Sequence, residues 1–278
     1  MGPNQAVRIA YNVILKREPD PGGQSDFVAR LKARAIDHDE LIDWLRGSEE
    51  FATVSRLNLL GPSLHLSRCE FIRSLPRARR ILDLGGTHLA KAEGAFVAMG
   101  YPYRFEELVI VDLPTSDRHE IYRAQGDNDK VETHLGPVRY SYHSMADLSR
   151  FADESFDLVY SGQSIEHVNE ETGDLVLSEV RRVLRRGGFL ALDTPNGRVT
   201  RLQQDSFIDP DHEVEYTDAE LRAKLDRAGF DIAEAKGLNY AGSCLDRDVF
   251  SMTDVAGHQG MFAEIDECYL LAYVCRKR

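Results

Sequence analysis

The chain has 278 residues, 42% of them hydrophobic, with 34 Lys and Arg against 46 Asp and Glu, a formal net charge of −12 and an isoelectric point near 5.2. That length and apolar content suffice for a large core, whereas the acidic balance argues against nucleic acid or an anionic membrane as partner, since phosphate contacts need clustered Lys and Arg. Cys69, Cys244, Cys268 and Cys275 form no Cys-x-x-Cys pair and no zinc spacing, no run reaches the ~18 apolar residues of a membrane span, and Met1 to Gln5 lack a signal-peptide core, so a cytoplasmic protein with reduced thiols is expected.

Residues 1–60 read as a small helical module. Ala6, Ile9, Ala10, Val13 and Ile14 mark one helix face, followed by Phe27, Val28 and Leu31, then Leu41, Trp44 and Leu45. Pro19-Asp20-Pro21-Gly22-Gly23 separates the first two helices, and Gly47 ends one helix where Ser48 caps the next. Tyr11, Leu15, Arg17, Pro19-Asp20, Gly22-Gly23 and Ser48-Glu49-Glu50-Phe51 resemble a helical module of unknown function found in bacterial surface-associated and glycan-pathway proteins. Its simplest role is packing or dimerisation, which leaves a homodimer open.

Residues 61–278 form the second expected domain. Ser63 to Leu75 is an amphipathic helix, and Arg80 to Leu84 is a buried strand carrying Asp83 near its end and turning at Gly85-Gly86, where the lack of Cβ lets a ligand approach the backbone. A helix is expected from Gly86 to about Met99. Glu107 to Asp112 is a second buried strand ending in an acid, placed to accept both hydroxyls of a ribose. Pro137 to Tyr142 and Phe156 to Tyr160 follow as strands, then a helix from Glu170 to Leu184 and a strand from Phe189 to Asp193 stopped by Thr194-Pro195-Asn196. Thr217 caps a helix ending at Ala228-Gly229, Phe230 opens a strand, and Glu267 to Val274 is the last strand. This alternation predicts an α/β fold, a Rossmann-like sheet of seven mostly parallel strands with an N-terminal helical bundle.

From about Ile81 onward the chain resembles the class I S-adenosylmethionine-dependent methyltransferases. Ile81-Leu82-Asp83-Leu84-Gly85-Gly86 is similar to their first motif and Val111-Asp112 to their ribose acid. Ser155 to Val159 with Glu166-His167-Val168, and Val183 to Gly188, are similar to their segments around the fourth and fifth strands. A further family glycine is replaced by Thr87-His88. The resemblance implies that Asp83, Gly85 and Gly86 face the methionine part of S-adenosylmethionine, that Asp112 and Leu113 lie at the ribose, Met145, Ala146 and Asp147 by the adenine, and Ser161, Gly162 and Gln163 beneath the sulfonium. An NAD-dependent oxidoreductase would need Gly-x-Gly-x-x-Gly and usually Tyr-x-x-x-Lys, which are missing here. A binding module without turnover would keep Asp83 and Asp112 and dispense with His167.

Methyl transfer to a hydroxyl needs a base that removes its proton. His167, His143 and His212 follow strand ends on one rim, with His167 the preferred base, the others acceptor contacts, and Asp193 either orienting a histidine or merely ending its strand. Gln163-Ser164-Ile165-Glu166-His167 looks like the Glu-x-x-Glu-His stretch of ubiquinone-pathway O-methyltransferases, which carries a divalent cation. The amide at Gln163 lowers the charge offered and leaves Glu166 as the metal candidate, for a cation such as magnesium. Residues 198–211 and 239–265 are polar, aromatic-bearing segments expected to form the acceptor pocket. With the helical module, the whole resembles actinobacterial sugar O-methyltransferases of methylmannose polysaccharide synthesis. The expected activity is transfer to a sugar hydroxyl of a small-molecule or oligosaccharide acceptor; the alternative is O- or C-methylation of a natural product or quinone-like acceptor.

Overall fold

The structure is a computed structural model and describes residues 2–55, 59–117 and 129–278. The chain divides into two compact units, Met1–Pro62 and Ser63–Arg278. In the first, α1 (Pro3–Ile14), α2 (Pro21–Lys32), α3 (His38–Arg46) and α4 (Glu49–Ser55) enclose a core of Val7, Tyr11, Ile14, Phe27, Val28, Leu41 and Leu45. Their starts are fixed by side-chain caps: Asp20 accepts from the Gly23 amide, Asp37 and Glu40 form a reciprocal capping box, and Ser48 accepts from the Phe51 amide. Gly23 is needed for close helix approach, because a Cβ there would lie 2.5 Å from the Tyr11 hydroxyl. The buried stripe of α1 is rotated from the expected one. Val7 and Tyr11 point inward, while Ile9 and Val13 are 44% and 62% exposed. The periodic pattern expected to run to residue 60 crosses residues 56–58, which lie outside the described residues.

The second unit is an α/β sheet. Its strands are β1 (Arg80–Leu84), β2 (Glu107–Asp112), β3 (Lys130–Glu132), β4 (Pro137–Tyr142), β5 (Phe156–Gly162), β6 (Leu184–Pro195), β7 (Phe230–Tyr240), β8 (Met261–Phe262) and β9 (Cys268–Lys277). They lie in the order β3-β4-β2-β1-β5-β6-β9-β7-β8. β4, β2, β1, β5 and β6 pair parallel, and β9 inserts antiparallel between β6 and β7. The seven long strands are those expected, and β3 and β8 add short antiparallel edges. Leu108 to Val111 are fully buried, as strands covered on both faces must be.

The helices are α5 (Gly61–Ser74), α6 (Gly94–Ala98), α7 (Glu170–Val183), α8 (Gly197–Gln203), α9 (Asp218–Arg227), α10 (Gly242–Arg247) and α11 (Met252–Gly257). Thr217 caps α9 in a reciprocal box with Glu220, and Asn169 caps α7 through the Thr172 amide. Two boundaries differ from expectation. The helix after Gly86 is only α6, because Gly94 takes φ +80° and packs so tightly that a Cβ would sit 2.2 Å from Ile110 Cδ1. β6 does not stop at Asp193: Thr194 and Pro195 pair with Leu271 and Leu270 of β9. No described helix is long and apolar enough to cross a membrane.

Candidate active site

The carboxyl ends of the central parallel strands open into a cavity of about 380 Å³, within the usual range of small-molecule sites. β1 and β2 build one wall. Gly85 takes φ +73°, donates its amide to the Val111 carbonyl at 2.8 Å, and lies so close to Ser164 that a Cβ would fall 2.5 Å from its Oγ. Gly86 leaves room for a different neighbour, since its Cβ would sit 1.9 Å from Asp83 Oδ2. Asp83 is 1% exposed and neither carboxylate oxygen has a hydrogen-bond partner. Burial first, then the charge of Asp112, pushes its acid up to about 8 against the opposing pull of Arg68.

Asp112 accepts from its neighbour's amide, Leu113, at 2.7 Å and from Thr87 at 3.3 Å. Thr87, where the family glycine is missing, thus steadies the acid, and its own buried Oγ1 is left without a partner at the cavity wall.

β5 and β6 supply the floor. Gln163 sits at φ +55°; its amide donates to the Asp193 carbonyl at 2.8 Å and its Nε2 to Asp193 Oδ1 at 2.9 Å. Asp193 is fully buried and also receives Arg68 Nε at 2.6 Å and the Tyr160 hydroxyl. It therefore binds no histidine, contrary to one sequence expectation, because the guanidinium from α5 occupies the position. The Tyr160 hydroxyl is pushed well above its ordinary range by burial and then by the Asp193 charge.

The rim carries the histidines. His143 donates its backbone amide to the Asp112 carbonyl, its Nδ1 lies 3.0 Å from the Ser144 carbonyl, and its buried Nε2 has no partner. His167 follows β5 in a 3-10 turn (Ile165–His167), and its Nδ1 lies 3.1 Å from the Asp211 carbonyl. A carbonyl only accepts, so Nδ1 carries the proton and Nε2 keeps its lone pair. Burial, then the proximity of His212, holds the His167 pKa below its ordinary value. The His212 ring crosses it edge to face at 4.8 Å, with Nδ1 2.7 Å from Glu215 Oε1. Burial opposes protonation of His212, but that hydrogen bond and the charges of Glu166, Glu215 and Asp209 hold its pKa above the ordinary value. Glu166 is fully buried; Oε2 accepts from Thr194 Oγ1 at 2.9 Å, Oε1 has no partner, and burial pushes the acid up to about 7.

Gly85, Asp112, Leu113, His143, Met145, Gln163 and His167 all line the cavity. Several expected members do not. Asp83 and Gly86 lie behind Gly85. Ala146 packs on the core and Asp147 Oδ1 caps the Ser149 amide. Ser161 is 3% exposed within β5, and Gly162 makes room for Tyr160 and Arg68, whose side-chain atoms a Cβ would meet at 2.3 and 2.6 Å. His212 and Glu166 stand just behind His167. Residues 239–265, expected around the acceptor, do not line the cavity. Asn239 binds Ser63 Oγ, Ser67 Oγ and the Val255 carbonyl, which ties that segment to α5. Of 198–211, Asp211 lines the cavity. Unanticipated lining comes from Thr87, Asp117, Ser144 and Ser164. Thr87, directly after the glycine pair, was the available sequence signal among them.

Residues 94–192 match a methyltransferase domain family and residues 4–54 a domain of unknown function, DUF4214. A Mycolicibacterium smegmatis protein named a probable S-adenosylmethionine-dependent methyltransferase is 33% identical over 96 residues, 34% of this chain and 37% of the relative, so the match spans little more than a third of that protein. Among solved structures, a SAM-dependent methyltransferase of Thermotoga maritima shares 19% identity over 81% of this chain and 93% of its own, with a TM-score of 0.54. A Listeria monocytogenes protein assigned to the same class shares 15% over 78% and 99%, with a TM-score of 0.51. These structures show the fold, the Rossmann-like α/β fold of methyltransferases, and the methyltransferase domain match covers residues 94–192 of it.

Proposed function

We propose that this chain transfers the methyl group of S-adenosylmethionine to a hydroxyl of a sugar acceptor, with His167 as general base. The observation that carries the proposal is the His167 ring, locked through Nδ1 onto the Asp211 carbonyl while lining the cavity that Gly85 and Asp112 also line.

The residues present fit the cofactor. Gly85 leaves the cavity wall there without a side chain, Asp112 brings a carboxylate to the cavity that suits ribose hydroxyls, and Asp83 is a buried carboxyl just behind Gly85. The cofactor supplies an activated methyl group. The chain's own contribution is to place an acceptor hydroxyl in line and to take its proton on His167 Nε2. A lowered pKa keeps that nitrogen unprotonated at neutral pH, and the Asp211 carbonyl holds the Nδ1 proton once the ring is charged. Because His167 is exposed at its outer edge, the proton then passes to solvent.

A sugar acceptor rests on the resemblance of the combined motifs and on the hydrogen-bonding groups of the rim: Ser144, Gln163, His167 and Asp211. Magnesium does not fit. Gln163 stands where the first carboxylate would be, its amide is turned to Asp193, and Glu166 alone brings carboxylate oxygen to the cluster, short of the oxygen-rich shell that magnesium takes. Incubating the chain and S-adenosylmethionine with a panel of mannosides and glucosides, with mass detection of a methyl adduct, tests the reading. A sugar product lost in His167→Ala is expected, and methylation confined to phenolic or quinol acceptors would transfer the assignment to the alternative class.

A further inference from the structure

We infer that Gln163 binds the methyl acceptor beside His167, and that the two together select an acceptor with neighbouring hydroxyls, one to be methylated and one to be held. This selectivity rests on the proposed role of His167 and narrows the acceptor that His167 serves.

Gln163 stands out first in its backbone. It lies at φ +55°, in the left-handed region that a residue with a Cβ enters at a cost, and it does so on the cavity wall. Two bonds to one residue hold it there, its amide donating to the Asp193 carbonyl at 2.8 Å and its Nε2 to Asp193 Oδ1 at 2.9 Å. Asp193 is in turn fully buried and fixed by Arg68 and the Tyr160 hydroxyl.

That grip decides which way the side-chain amide faces. A carboxylate paired with a guanidinium only accepts, so Nε2 turns to Asp193 and Oε1 turns away from it. Oε1 makes no hydrogen bond among the described residues. It is a fixed acceptor without a donor on a residue that lines the cavity.

His167 presents the same polarity, because Nδ1 is spent on the Asp211 carbonyl and Nε2 keeps its lone pair. Between them in sequence, the Ser164 hydroxyl donates to the Leu84 carbonyl at 2.8 Å. Two fixed lone pairs therefore ask for two donors from the ligand. A lone alcohol has one proton and leaves either Gln163 or His167 unpaired, which costs binding. A diol satisfies both. The hydroxyl on His167 Nε2 gives up its proton as its oxygen takes the methyl group. The hydroxyl on Gln163 Oε1 keeps its proton, since an amide oxygen is too weak a base to remove it. One methyl group per diol follows, and a neighbour that is already methylated has no proton left to donate.

The test compares kcat/KM for methyl mannoside, its monodeoxy and mono-O-methyl derivatives, catechol and phenol, in wild type and Gln163→Met. In the wild type, deleting or methylating one hydroxyl next to the reacting one should lower kcat/KM at least tenfold, chiefly through KM. Gln163→Met should bring the diol down to the level of that deoxy analogue and leave the analogue itself within about threefold, because the two changes remove the same bond. Retained S-adenosylhomocysteine binding by the variant serves as the folding control. Equal kcat/KM for diol and deoxy analogue in the wild type overturns the inference. So does a Gln163→Met variant that slows diol and monoalcohol alike. Methylation confined to phenolic acceptors would end the sugar reading, and the ratio of catechol to phenol would then carry the same test. Turnover that survives His167→Ala would remove the base, while the wild-type diol preference would still judge Gln163.

Discussion

Asp193 grips Gln163 at two points, accepting the backbone amide at 2.8 Å on its carbonyl and the side-chain amide at 2.9 Å on Oδ1. The same carboxylate pairs with Arg68 from α5, so cavity floor and covering helix are fixed by one buried charge. Removing one partner of a buried pair leaves the other charge uncompensated, which costs about 3–5 kcal/mol. Asp193→Ala should therefore lower stability by about that amount in urea unfolding. Gln163→Ala, which leaves the ion pair intact, should cost under about 1.5 kcal/mol.

The Asp83 acid, raised to about 8, predicts a proton-linked ligand. At pH 7 the group is mostly protonated in the free protein, and on the proposed reading the positive charge of a ligand in the cavity, on the other side of Gly85, favours the carboxylate. Binding of S-adenosylhomocysteine should release protons at pH 7, read as a dependence of calorimetric heat on buffer ionisation enthalpy, and tighten as pH rises from 6 to 8. Asp83→Asn should lose both effects.

Stability follows from the same group with a definite sign. The unfolded chain gives up this proton near 4 and the folded chain near 8, so across that window the native state holds more protons and stability falls as pH rises. Asp83→Asn should gain on the wild type between pH 4 and 8, by a few kcal/mol at the upper end, in chemical denaturation of the ligand-free protein. A constant difference across that range would contradict the assignment.

Gly86 is expected to tolerate no side chain. A methyl group there would meet the Asp83 carboxylate at 1.9 Å, so Gly86→Ala should destabilise the chain by about 1–3 kcal/mol and weaken S-adenosylhomocysteine binding at least tenfold. Asp83→Ala in the same chain should recover much of the stability.

His167→Ala should reduce turnover by about 10²–10⁴ while leaving cofactor affinity within about threefold. In the wild type, the acid limb of the rate profile should fall below pH 6.5, because burial lowers the His167 pKa and the neutral form is the reactive one.

The strands and their terminal acids were legible because Leu108 to Val111 and Ile81 to Leu84 are continuous apolar runs, a pattern that two-sided burial imposes on the sequence itself. What escaped depends on contacts between distant segments. Arg68 lies 125 residues before the aspartate it pairs with, and Glu215, 49 residues after Glu166, sets the tautomer of the histidine behind it. Residues 239–265 looked like an acceptor loop because they are polar, but Asn239 spends its polar atoms on Ser63, Ser67 and Val255. The long helix expected after Gly86 failed on Gly94, whose positive φ is invisible in an apolar pattern.

The most direct test is calorimetric titration of the purified chain with S-adenosylhomocysteine. One site per chain is predicted, weakened at least tenfold by Asp112→Ala and unchanged by His167→Ala. Absence of saturable binding, or binding indifferent to Asp112, would contradict the placement of the cofactor in the cavity at the ends of β1 and β2.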